Sequence, residues 1–239
     1  MGRREGWRVM GHFISQLFHW YTTGSHWRGS NGVPALAWAT VKVTAEAVLI
    51  ALAVGLPLAL WLGHTGRGGF LAINVTNVGR ALPAIALLVI GVQILGIGEA
   101  PALAALVVLS LPPVVTNTYT AVRQVDPDAV DAARGMGMTG TQILFRVELP
   151  ASLPLIAAGV RTAAVQAVAT VTLAAYVAYN CLGSLILQGL SVNDHVEVVA
   201  GALLVIVLAF LTELGLAALQ RALTPAGVKV AENAFATTN

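Results

Sequence analysis

The sequence predicts an all-α polytopic membrane protein, with about five transmembrane helices around a helical loop, and three observations carry that prediction. Hydrophobic residues make up 57% of the 239 positions and charged residues only 10%, against roughly 25% charged in an average soluble domain. Five apolar stretches, at about 43–62, 75–95, 102–122, 155–178 and 196–219, each approach the ~20 residues that a bilayer core requires. Between the third and fourth lies one polar interruption, DPDAVDAARGMGMTGTQILFRVELPASLP, at 126–154.

Other classes fall away on the same grounds. A net charge of +2 is too small to argue for nucleic acid. The single cysteine, Cys181, excludes an internal disulfide and a cysteine-based metal site, and reads as a small apolar filler. The start carries Arg3 and Arg4, but no apolar run follows closely enough for a secretory signal, so the first span is expected to direct insertion. The chain contains no GxxxxGK[ST], HExxH or GxSxG pattern, which argues against ATP hydrolysis or intramembrane catalysis by this chain alone.

Taken in order, residues 1–40 form an N-terminal tail. Met10, Phe13, Ile14, Leu17 and Tyr21 recur at helical spacing and predict a short amphipathic helix on the membrane surface. His12, His19 and His26 are seven apart, but Gly24 should break the helix before His26, and no acid stands nearby, so a metal stripe is disfavoured. In the first span, Glu46 lies four residues after Lys42 and can pair with it, or either can snorkel; Pro57 implies a kink. His64-Thr65-Gly66-Arg67-Gly68-Gly69 reads as a turn, since it lacks the ending and the preceding strand of a phosphate loop.

The second span contains Arg80, which snorkels if the helix begins near residue 76 and lies deep if it begins near residue 70. Gly96 to Glu99 make a turn, Pro101 opens the third span, and Pro112-Pro113 should break its hydrogen-bond ladder. In the fourth span Thr162, Gln166 and Thr170 are spaced by four and share a face. That stripe suits either interhelical hydrogen bonds or a solute path. Residues 180–194 form a connection that can hold a short, partly inserted helix. Glu213 in the fifth span shares a face with Arg221, and 223–239 is read as a disordered tail.

Within the polar interruption two short helices are expected. Asp126-Pro127 is a helix start, Asp128 favours the positive helix end, and Gly135-Met136-Gly137 ends the helix. Thr139 with Gln142 is a capping-box pattern for a second helix, which Pro150 should stop.

The order Asp131-Ala132-Ala133, three residues, Gly137, nine residues, Val147, one residue, Leu149-Pro150 closely resembles the "EAA" loop of ABC importer permeases. Asp131 stands for the usual Glu and Val147 for the usual Ile. Asn117-Thr118-Tyr119, Arg123 to Pro127, Ala132 to Met138 and Phe145 to Pro150 resemble most the permeases for glycine betaine, choline and related osmoprotectants, over about 41–225. The resemblance implies a transmembrane domain at 41–222 whose loop, 123–154, couples to a separate ATPase. Asp131, Ala132 and Ala133 would pack at the junction with the spans, and Gly137 would allow the close turn. Met138, Thr139 and the residues to Arg146 would face the ATPase, and Leu149-Pro150 would fix the exit. Asn117, Tyr119, Thr162, Gln166 and Thr170 are the candidate path-lining residues. Where family members often have a glycine pair, Asn180 and Cys181 stand here.

The implied partners are a cytoplasmic ABC ATPase dimer, which would bind ATP and Mg, a second permease chain, and an extracytoplasmic solute-binding protein. The second chain is identical or a sister permease, with a sister preferred. This chain holds no cofactor or metal by that reading. Arg67, Arg123, Arg134, Arg146, Arg161 and Arg221 fall on one side of five spans, which places the loop and the C-terminus in the cytoplasm; Arg3, Arg4, Arg8, Arg28 and Lys42 run against the rule. Two alternatives stand beside the osmoprotectant importer. One keeps the importer with another small solute, such as an amino acid. The other is an ion-coupled carrier or channel without ATP, for which Glu46, Arg80 and Glu213 are the support.

Overall fold

A computed structural model describes residues 3–67, 69, 74, 79 and 81–223, with side chains for 10–222 within those ranges. Among the described residues the secondary structure is helical. The elements are α1 (Arg3–Thr22), a 3-10 turn (Gly24–Trp27), α2 (Val33–Thr65), α3 (Ala84–Leu95) and α4 (Glu99–Arg123). There follow α5 (Pro127–Gly135), α6 (Gly140–Ile143), a π turn (Leu144–Glu148) and α7 (Leu149–Thr170). A second 3-10 turn (Val171–Val177), α8 (Gly183–Val192) and α9 (His195–Leu223) complete the chain.

Among the described residues, four stretches are long and apolar enough to cross a membrane: Val33–Thr65, Glu99–Arg123, Gly140–Val177 and His195–Ala222. The expected second span is described only from Ala81 as a continuous stretch. Its helix is α3, twelve residues long, and Arg80 lies outside the described residues. The expected tail 1–40 is shorter than assigned, because α2 starts at Val33, ten residues before the expected span. The expected tail 223–239 is outside the description beyond Leu223.

The break expected at the proline pair fails: α4 runs unbroken through Pro112 and Pro113, and α2 likewise carries Pro57 inside it. A proline inside a bilayer-spanning helix costs its own N–H bond and is tolerated where neighbouring helices pack around it; one turn on, Asn117 donates Nδ2–H to the Pro113 carbonyl at 2.7 Å. Nor does Pro150 stop the second loop helix. The Leu149 amide donates to the Leu144 carbonyl, a bond five residues back that marks the π turn. Pro150 is then the second residue of a fresh α-helical segment, where its missing N–H is least missed.

The chain divides into two compact units. The first comprises Met1–Ala47, Pro83–Leu106 and Gln166–Leu211. Its core packs Trp20, Val33 and Leu36 against Leu182, Leu185, Ala200 and Val205. α1 is fastened to this unit on one face: the Tyr21 hydroxyl donates to the Ala200 carbonyl at 2.8 Å, and Trp20 stacks on His26 at 4.3 Å between ring centres. Met10, Ile14 and Phe18 stand exposed on the same helix. Burial holds the Tyr21 phenol above its ordinary pKa.

The connection after the second 3-10 turn is pinned to α2. The Tyr179 hydroxyl donates to the Ala39 carbonyl at 2.9 Å, and the buried Thr40 hydroxyl accepts from the Leu182 amide at 3.0 Å. Burial, with the charges of Glu99 and Glu46 beside it, pushes the Tyr179 phenol up to about 12. The missing glycine pair does not prevent close packing. Cys181 is fully buried with its thiol on the Val171 carbonyl, and a Cβ at Gly183 would collide with the Thr172 backbone. Burial raises the Cys181 thiol, so it is an inert filler.

The second unit comprises Val48–Leu82, Val107–Val165 and Thr212–Asn239. Its buried clusters join Leu60, Ala121, Val122 and Ile156, with Leu56, Leu144, Leu149 and Leu155 packed against them, and Ala59 with Val115 and Tyr119. α2 and α4 approach closely at Gly63, where a Cβ would press on the Val122 side chain at 2.8 Å.

Candidate functional site

The polar loop lies entirely in the second unit, and its shape follows from local hydrogen bonds. Asp126 caps α5 by accepting from the Asp128 amide at 3.0 Å, with Pro127 pre-set in the first turn. α5 ends in a complete Schellman motif. The Gly137 amide donates to the Arg134 carbonyl at 2.9 Å and the Met138 amide to the Ala133 carbonyl at 3.2 Å. That closure needs a left-handed residue, and Gly137 has φ +80°. Thr139 then opens α6 with both halves of a capping box: its hydroxyl accepts from the Gln142 amide at 3.4 Å, and its own amide donates to Gln142 Oε1 at 2.8 Å.

Capped at both helix starts and closed at the turn between them, the loop is a stiff projection, with some side chains buried and others exposed. Ala133 and Ile143 are buried. Asp131, Ala132, Gly137 and Thr139 are exposed, while Met138, Leu149 and Pro150 are half-buried. Asp131 pairs with Arg134 at 3.2 Å in the open, a contact of small energetic worth. Met136 is 76% and Phe145 56% exposed, large apolar side chains left without cover on a polar element.

Sequence reasoning missed the strongest polar contact of this region. His64, in the last turn of α2, meets Glu148 of the π turn, Nδ1 to Oε2 at 2.6 Å, and the Glu148 side chain is only 8% exposed. Glu148 is the only acid between Asp131 and Asp194, which was a usable signal. His64 carried none, because its partner is 84 residues away. Arg161 and Glu213, expected to serve separately, form an ion pair at 3.1 Å. In the first unit Lys42 does approach Glu46, at 3.8 Å, but its short contact is with Glu99, at 2.7 Å.

The candidate path residues are not gathered at one place. Asn117 bonds within α4 and packs where a Cβ on Gly159 would overlap it; Tyr119 packs on Ala59 and Val115. Thr162 and Gln166 are exposed, the Thr162 hydroxyl donating to the Ala158 carbonyl, and Thr170 is half-exposed. His12 and His19 of the proposed histidine stripe are exposed, and His26 is engaged with Trp20. Among the described residues no group of three or more His, Cys, Asp or Glu is placed to hold a metal.

Similar proteins exist with this architecture. The chain is 34% identical over 194 residues to the carnitine transport permease protein OpuCB of Listeria monocytogenes, covering 81% of this chain and 89% of that protein. It is 33% identical to the choline transport system permease protein OpuBB of Bacillus subtilis, over 79% of this chain and 87% of that protein. It is 36% identical to the osmoprotectant import permease protein OsmY of Salmonella typhimurium, over 74% and 76%. Among solved structures, the inward-facing MetNI methionine ABC transporter matches the fold with a TM-score of 0.69 at 24% identity, covering 79% of this chain and 94% of that one. The family model of the binding-protein-dependent transport system inner membrane component matches residues 51–225. The chain, a multi-pass α-helical membrane protein, therefore belongs to the family of binding-protein-dependent transport system inner membrane components.

Proposed function

We propose that this chain is the permease subunit of an ATP-driven importer for quaternary-ammonium osmoprotectants of the carnitine, choline and glycine betaine type. Its polar loop docks on a separate cytoplasmic ATPase dimer. The observation that carries the docking is the loop itself: a doubly capped projection that leaves Met136 and Phe145 uncovered. A stiff element transmits a push, and exposed apolar side chains on it await a partner. Arg67, Arg123, Arg134, Arg146, Arg161 and Arg221 all belong to the unit that holds the loop, which supports a cytoplasmic position for it.

ATP and Mg are bound by the ATPase, and this chain supplies half of the path. Thr162 and Gln166 face the second permease chain, a sister chain by preference, and the path between the two. An extracytoplasmic binding protein selects the solute; the cargo class rests on the relatives named for carnitine, choline and osmoprotectant transport. α1 rests on the bilayer surface through Met10, Ile14 and Phe18.

The ion-coupled reading loses much of its support. Two of its three residues are paired, Glu46 with Lys42 and Glu213 with Arg161, and Arg80 lies outside the described residues. The deciding experiment reconstitutes the chain in liposomes with the ATPase, permease and binding protein encoded beside it. ATP hydrolysis stimulated by binding protein loaded with glycine betaine, carnitine or choline is the expected result. Association without stimulation by any of these would remove the cargo class, and no association with an ATPase would remove the importer.

A further inference from the structure

Glu148 is a buried carboxylate inside the docking loop, and docking as described above has no use for it. It sits in the π turn among Leu144 and Leu149, with one short partner, His64. A carboxylate this enclosed is tolerated when a charged or donating group meets it. The contact at 2.6 Å is shorter than an ordinary N–H···O hydrogen bond. The far edge of the same ring lies close to α6. A Cβ at Gly140, the first residue of α6, would lie 3.2 Å from His64 Nε2. The imidazole is thus seated between the start of α6 and the end of the π turn, while its backbone belongs to the last turn of α2.

We infer that the His64–Glu148 pair is a mechanical tie that makes the end of α2 move with the docking loop, so that these are positioning residues for coupling. The inference rests on the coupling reading of the loop. Three routes then lead from the loop into the spans. Two are covalent, at Arg123 into α4 and through Leu149-Pro150 into α7; the third is this pair, into α2. A π turn at the junction fits a place where the helix path is set by function rather than by helix propensity. Without the pair the loop still binds the ATPase and still swings α7, but α2 is left behind and strokes are wasted.

The test uses the whole complex in liposomes, with hydrolysis and uptake of labelled choline, carnitine and glycine betaine read on the same preparation. His64→Ala removes the tie outright. Glu148→Met removes the acceptor at similar volume without leaving a buried carboxylate unpaired, and serves where His64→Ala fails to assemble. His64→Asn restores a donor near the position of Nδ1. Expected are retained ATPase association, hydrolysis within about twofold of the parent, and a solute-per-ATP ratio about tenfold lower in both disrupting variants. The double variant should be no worse than either single, as for two members of one contact, and His64→Asn should recover much of the ratio. A parental ratio in Glu148→Met would overturn the tie, as would hydrolysis and uptake falling in proportion, the signature of a merely structural pair. Failure of the ATPase to co-purify with the parental chain would instead remove the docking reading beneath it.

Discussion

One close charged pair in each unit shows how differently burial treats nearly the same distance. In the first, Lys42 and Glu99 meet at 2.7 Å with side chains 42% exposed each, and Glu46 stands beside them. In the second, His64 and Glu148 meet at 2.6 Å with the carboxylate almost enclosed. Similar distances carry different consequences, because water can replace a partner in the first case and cannot in the second. An exposed pair contributes little on its own. A buried one is weak as a source of net stability but costly to break, since removing a partner strands the other charge. The first cluster therefore tolerates change, and the second fixes geometry where the loop leaves the spans.

That contrast is open to attack, beginning with the largest effect. His64→Ala, which strands Glu148, should lower stability by about 3 kcal/mol, the low end for a broken buried pair because His64 keeps some solvent contact. Thermal unfolding of the purified chain in detergent reads this directly. Gly137→Val comes next. The position has open space around it, so no clash is involved, but a branched residue at φ +80° costs about 1–2 kcal/mol and opens the Schellman closure. Normal uptake and normal hydrolysis by that variant would mean the turn does not shape the docking surface. Thr139→Ala should cost about 1 kcal/mol by removing one half of the capping box, and proteolysis within 139–148 should quicken. Lys42→Ala is the control from the other unit, and its unfolding midpoint should not move measurably.

The sequence was legible where structure is local. Asp126 with Pro127, Thr139 with Gln142, and Gly137 each act over one turn, and each stands where its pattern put it. The apolar stretches were legible as helices because length and composition suffice for that. The ends of elements were harder to read. Pro112, Pro113 and Pro150 have strong local meanings, yet α4 continues through the first two and the π turn puts the third in the first turn of a new segment. The start of α2 was set ten residues late because Trp38 and the small residues near it diluted the apolar run. Partner choice failed for a related reason. Lys42 looked to Glu46 four residues on, whereas its short contact, Glu99, is 57 residues away. A separation of 84 residues likewise hid Glu148 from His64.

Cross-linking of single cysteines to the ATPase in the assembled complex tests the central claim most directly. Met136→Cys and Phe145→Cys place a reactive group at the two uncovered apolar positions of the loop, while the native Cys181 is buried and silent. Ile94→Cys, 75% exposed in the native chain at the end of α3, is the reference position outside the loop. Docking of the loop predicts cross-links from 136 and 145 that change in yield with ATP, and none from 94. No cross-link from either loop position, or an equal one from 94, would contradict it.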